Sequence, residues 1–207
     1  MEEIGYELDA SSYEEAQNQY EAIFKNLMLN IYSCYEYLLA SRVLVPNNNE
    51  NRIRDILLEY LKNKNIRSEI CIISGYIFEK EVDENTGRVD IKIRDANEFI
   101  IHEEHDAYYI IECKRLDGAT SLNTAYVNDG IERFTTNYGS ARDQAYYSSY
   151  YGINGMIGFI VNDINIHDNM AQIGPLFNEI ERDKLYESNH TNLKLYHLMM
   201  DFSHNLV

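Results

Sequence analysis

Tyr108-Tyr109-Ile110-Ile111-Glu112-Cys113-Lys114 runs apolar for its first four residues and then carries two charges that a water-facing segment would have no reason to place there. Its length and its aromatic and β-branched content read as a central strand buried on both faces. Residues two apart on a strand point to the same side, so Glu112 and Lys114 share a face and Cys113 points the other way. Upstream, Arg88-Val89-Asp90-Ile91-Lys92-Ile93-Arg94 alternates apolar and charged residues, the pattern of a half-buried strand. Tyr76 to Val82 reads as a further strand, joined to it by the turn chemistry of Asp83-Glu84-Asn85-Thr86-Gly87. A hairpin of this kind can bring Asp90 next to the strand that holds Glu112.

Further outward the period changes. Ala16, Tyr20, Ile23, Leu27, Ile31, Cys34 and Leu38 recur at helical spacing, with Ser11 and Ser12 as caps and Pro46 and the following asparagines as the stop. A second helix starts at Glu50 behind the cap Asn49, with Ile53, Leu57, Tyr60 and Leu61 as its stripe and Glu50 on the same inward face. Downstream, residues 123–151 read as mostly helical with a break near Tyr138-Gly139, Gly155 to Val161 as a buried strand, 164–184 as a helix interrupted by Pro175, and Leu193 to Met200 as a last strand. Hairpin-joined strands followed by a helical crossover predict an α/β class, with a mixed sheet flanked by helices and an extra long N-terminal helix.

Length and composition agree. A chain of 207 residues, 45% apolar and 25% charged, suits one domain with a sizeable core. The apolar runs fall far short of the roughly 18 residues that cross a bilayer, so no membrane partner is expected. The acidic start, Met1-Glu2-Glu3-Ile4, is unlike a signal peptide, and three cysteines without metal-type spacing point to a reducing cytoplasm. The net charge is −16, distributed as −7 over residues 1–51, −3 over 52–115 and −6 over 116–207. A sequence-blind nucleic-acid binder is usually basic, so an anionic ligand would be met in the middle stretch or through a partner that lends positive charge.

Asp90, Glu112 and Lys114 sit inside strands that otherwise read as core, where an unpaired charge is costly. Two neighbouring carboxylates repel unless a cation neutralises them. A hard divalent ion fits: Mg²⁺ takes one or two carboxylates, keeps several waters and accepts phosphate oxygens, with Mn²⁺ as a substitute. Asp90 followed by Glu112-x-Lys114 at the end of an apolar run resembles the signature of the PD-(D/E)xK nuclease superfamily, the restriction-endonuclease-like fold. Its core of helix, three strands, helix and strand would map to 50–63, 76–82, 88–94, 108–115, 124–150 and 155–162, a little over half the chain. The expected organisation is a single domain over 1–207: a helical extension over 1–46, the nuclease-like core over 47–163, and a helix and strand over 164–207.

The resemblance implies that Asp90 and Glu112 bind Mg²⁺ with the main-chain carbonyl of Cys113, that Lys114 acts on the water nucleophile, and that Glu50 assists. Val89 stands where the motif has proline. Gln144 matches part of a Gln-x-x-x-Tyr motif that some branches carry, with the tyrosine out of place. The stretch Tyr126 to Phe134 and the later Gly155-Met156-Ile157-Gly158-Phe159 resemble uncharacterised bacterial members, some linked to phage defence. The implied activity is metal-dependent hydrolysis of phosphodiester bonds in nucleic acid, DNA first. The alternatives are a catalytically silent binding or assembly module with a protein partner or as a homo-oligomer, and an enzyme subunit that waits for a DNA-binding partner.

Plainer readings stand beside these. Asp90, Glu112 and Lys114 would also serve as a structural ion pair, Glu50 as a helix-terminal acid favoured by the macrodipole, and Gln144 as a solvent-facing residue. Arg115, Arg133 and Lys92 suit phosphate contacts or solvated charges. His102 and His105 form a loop pair without further ligands. Cys71 and Cys113 read as small core residues, and Tyr146, Tyr147, Tyr150 and Tyr151 as packing groups or as platforms for bases.

Overall fold

The structure, a computed structural model, describes residues 10–43, 45, 48–84, 87–96, 108–135, 147, 151–174, 176–191 and 193–206. Helix α1 (Ala10–Ala40) buries Phe24, Leu27, Met28, Ile31, Cys34, Tyr35 and Leu38, which recur every three or four residues and so form one stripe. It already includes Ala10, so Ser11 and Ser12 sit within the helix and not at the position before it. Helix α2 (Glu50–Lys62) starts as expected: the Asn49 side chain accepts the Arg52 N–H, and Ile53, Leu57 and Leu61 face inward. A short α3 (Lys64–Glu69), capped by Asn63, and a 3₁₀ turn (Cys71–Gly75) lead into the sheet.

Among the described residues, seven strands form that sheet in the order β1-β2-β3-β4-β7-β6-β5. Strands β1 (Tyr76–Glu84), β2 (Gly87–Asp95) and β3 (Tyr108–Leu116) form an antiparallel meander. Strand β4 (Ile153–Ile160) pairs parallel to β3, so the chain must cross between them. The crossover includes α4 (Thr120–Tyr126), one π-helical turn (Val127–Ile131) and α5 (Glu132–Thr135). The expected helix over 123–151 is met as far as Thr135, its break near Tyr138-Gly139 lies outside the described residues, and Tyr147 and Tyr151 lie on bends. Every residue of β4 is buried, as its run of apolar and glycine residues predicted. Gly155 lets α1 come close, since a Cβ there would meet Met28 Cε and Phe24 Cζ at 3.1 Å.

The C-terminal third corrects the reading of 164–184 as helix. Helix α6 spans only Ile166–Ile173, and β5 (Asn178–Glu181) and β6 (Leu185–His190) follow. Strand β6 runs antiparallel beside β7 (Leu193–Asp201), β5 runs antiparallel on the outer side of β6, and β7 pairs parallel to β4. Among the described residues, 164–207 thus contribute a helix and three strands, not a helix and one.

Each face of the sheet has its own core. Ile91, Ile93, Ile111, Cys113, Ile157 and Phe159 pack beneath α1 and α2. Ile110, Leu116, Met156 and Met199 pack with Tyr126, Ile131 and Phe134 of the crossover. This second core holds a chain of polar groups. The Tyr126 hydroxyl lies 3.0 Å from His197 Nδ1, His197 Nε2 is 2.8 Å from Ser188 Oγ, and Ser188 Oγ is 2.9 Å from His190 Nε2. Burial, then the neighbouring His190, pushes His197 down to about 3. Neutral His197 therefore accepts the tyrosine proton bond at Nδ1 and donates from Nε2 to Ser188, which donates on to His190.

Candidate active-site cleft

The site grows from an irregularity in β2. Pairing of β2 with β3 runs from Arg94↔Tyr108 to Ile91↔Ile111 and goes no further. On the other side, Lys80↔Ile91 and Val82↔Val89 are paired, but Glu81 and Asp90 between them are not. Glu81 has φ +51°, the left-handed region that costs a side-chain-bearing residue about 1–2 kcal/mol. The result is a change of face within β2: Ile91 and Ile93 lie in the first core and Val89 in the second. Asp90 falls at that change, in the gap where β2 and β3 part. The Cys113 N–H, left without a ladder partner, donates to Asp90 Oδ2 at 2.9 Å. The other oxygen, Oδ1, accepts from Arg54 Nη1 at 2.5 Å.

Glu112 and Lys114 share a face of β3, as their spacing required. Glu112 is 1% exposed. Its Oε1 accepts from Lys114 Nζ at 2.6 Å and from Arg133 Nη1 at 2.7 Å, and its Oε2 accepts from the Tyr147 hydroxyl at 2.9 Å. Burial and the nearby Asp90 push its carboxyl up to about 7, against the pull of Lys114 and Arg133. Burial works against the ammonium of Lys114, but Glu112 and Glu50 outweigh it and hold the group above its usual range. Nζ also donates to the Cys113 carbonyl at 3.0 Å and lies 3.8 Å from Glu50 Oε1.

Glu50 comes from the first turn of α2, where Oε2 accepts the Arg115 N–H at 3.0 Å. Burial, and then Asp90, raises its carboxyl pKa while Lys114 lowers it. One helical turn on, Arg54 reaches the same cleft. The cleft measures about 290 Å³, and its walls include Glu50, Arg54, Asp90, Glu112, Lys114 and Arg133.

The structure thus brings together Asp90, Glu112, Lys114 and Glu50, and presents Cys113 by its main chain while its thiol is buried in the first core. Gln144 lies outside the described residues, as do His102, His105, Tyr146 and Tyr150. Lys92 turns its ammonium over the Tyr108 ring at 3.5 Å, and Arg115 donates to the Asn48 carbonyl at 2.8 Å. Three participants were not read from the sequence as site residues of this kind. Arg54 resembles any helix arginine until its partners are known. Arg133 was read as a phosphate contact or solvated charge, yet it binds Glu112. Tyr147 was read as packing or stacking, yet it is 2% exposed and its hydroxyl meets Glu112. It follows Gln144 one residue short of the expected spacing, which was the only available signal.

The donor chemistry suits a hard cation. Oxygens of Glu112 and of the Cys113 carbonyl already converge on a positive centre, the Lys114 ammonium, with Glu50 next to it. Among the described residues no group of three or more His, Cys, Asp or Glu side chains is arranged to hold one ion. An ion here would rest on two carboxylates, a carbonyl and waters, the set that Mg²⁺ accepts. No family model matches the chain, and neither does any curated protein or solved structure.

Proposed function

We propose that this cleft hydrolyses phosphodiester bonds in nucleic acid, DNA first, with Mg²⁺ or Mn²⁺, and that the chain is a nuclease of the PD-(D/E)xK type with a restriction-endonuclease-like core. The observation that carries the reading is the convergence of Asp90, Glu112 and Lys114 on one cleft where β2 and β3 part. The order α2, β1, β2, β3, crossover helix, β4 also runs as that family's core does.

In this reading Asp90, Glu112 and the Cys113 carbonyl hold the ion. A bound divalent ion would polarise the scissile phosphate and lower the pKa of an attacking water. The chain's residues supply the rest. Asp90 is fixed from two sides by Arg54 and the Cys113 N–H, so its carboxylate is already oriented. Lys114 is held as an ammonium, which makes it a donor that orients water and stabilises negative charge on phosphate, not a base. Burial raises the Glu50 carboxyl pKa, and Glu50 lies beside Lys114 without a place on the ion, which makes it the group placed to take up a proton.

The test is cleavage of plasmid, single-stranded DNA and RNA with Mg²⁺, Mn²⁺ or chelator. Asp90→Ala, Glu112→Ala and Lys114→Ala are each expected to lower the rate by about 100-fold or more. Variants as active as the wild type would remove this site from the reaction. A second reading is favoured by the ion pairs themselves. Asp90 and Glu112 each already have a cationic side-chain partner, and the chain carries −16, as a silent assembly module would tolerate. Calorimetry that detects no Mn²⁺ binding, together with a stably co-purifying protein, would favour that reading.

A further inference from the structure

We infer that Arg54 is a positioning residue that stands in for a second divalent ion, so that the cleft takes one ion, on the Glu112 side. The inference rests on the metal-dependent reading above for that one ion, but the role of Arg54 has its own evidence. Arg54 is 2% exposed, which is rare for an arginine and costly without compensation.

Its compensation is three carboxylates. Nη1 meets Asp90 at 2.5 Å, Nη2 meets Glu81 at 3.0 Å, and Nη2 and Nε meet Asp55 at 3.1 and 3.2 Å. The backbone bends to build this cluster. Glu81 takes its left-handed conformation at the unpaired step opposite Asp90, and that places its carboxylate on the guanidinium. Asp55 also holds Lys80 at 2.6 Å, and Glu81 has Arg88 at 3.6 Å. Asp90, whose other oxygen meets only a backbone N–H, is therefore the acid that depends most on Arg54 for charge balance, with Glu81 sharing it with the more exposed Arg88.

Asp90 and Glu81, which meet one buried positive charge, are a pair of carboxylates that a divalent ion with its waters would also accept. A guanidinium gives the same neutralisation with fixed directions and no exchange with solvent. Asp90 is thereby held still on its Arg54 side and left to serve the ion on its Glu112 side.

The experiment counts Mn²⁺ ions by calorimetry and by electron paramagnetic resonance on wild type, Arg54→Ala and Arg54→Lys. One ion in wild type, two in R54A and one in R54K is the expected result. Guanidinium ion should compete with the added Mn²⁺ in R54A and leave the wild-type ion in place. An unchanged count in R54A, or two ions in wild type, overturns the inference. No ion in wild type with one in R54A removes the Glu112-side ion of the proposed function and leaves the stand-in role of Arg54 intact. No ion in either protein overturns both. If R54A does not fold, anomalous scattering from Mn²⁺-soaked wild-type crystals decides. One peak beside Glu112 supports the inference, whereas no peak, or a peak between Asp90 and Glu81, sinks it.

Discussion

Burial and the neighbouring Asp90 push the Glu112 carboxyl from its ordinary 4.5 up to about 7, and the direction of that shift has a thermodynamic consequence. The folded state favours the protonated acid, so it binds more protons than the unfolded chain between those two values. The stabilising contribution is complete below pH 4.5 and is lost as pH rises through about 7, by on the order of 3 kcal/mol. Urea unfolding in chelator should show wild type losing stability relative to Glu112→Gln across that window. Parallel curves for the two proteins would mean that Glu112 is ionised throughout. Glu112 and Lys114 were legible because charges that end an apolar run are conspicuous, and Asp90 only by its place on the strand a hairpin sets beside theirs. Arg54 was not, because an arginine on an amphipathic helix looks the same whether it faces water or three carboxylates.

Helix α2 positions the site through its first turn. Asn49 Oδ1 accepts the Arg52 N–H at 3.1 Å, and Glu50 follows directly. Asn49→Ala should lower stability by about 1 kcal/mol and loosen Glu50. Asn63→Ala removes the comparable cap of α3, whose side chain accepts from Asn65 and Ile66. Both variants should shift the unfolding midpoint similarly, but only Asn49→Ala should slow cleavage. Equal effects on cleavage would show that the α2 terminus has no special role.

The elements themselves were unevenly legible. Strands β2, β3 and β4 declare themselves by alternation or by continuous apolar runs. Strand β5 offers one apolar residue in Asn178-Glu179-Ile180-Glu181, and β6 offers two in Leu185-Tyr186-Glu187-Ser188-Asn189-His190. Pairing in sequence onto β7 holds them in the sheet, a long-range effect that local propensity does not contain. The break at Asp90 was hidden for the same reason, since the sequence alternates straight through it.

Over the whole molecule, acids outnumber bases by 34 to 18, and no helix among the described residues is long and apolar enough to cross a membrane. An anionic surface repels a polyanion, and the cleft's own cations are engaged with its acids. A divalent ion would change the sign of the local field. Fluorescence anisotropy at low salt should therefore find DNA binding at least about tenfold tighter with Ca²⁺ than with chelator. Equal affinity in both would place the DNA contact away from the cleft.

The polar chain through the second core has a consequence of another kind. Tyr126 and Ser188 are 0% and 1% exposed, and among the described residues their hydroxyl hydrogens are relayed toward solvent by way of the half-buried His190. Hydrogens so enclosed trade places with bulk water slowly. They give the chain a pair of native magnetic-resonance reporters, whose lines persist only while β6 and β7 stay closed over the crossover.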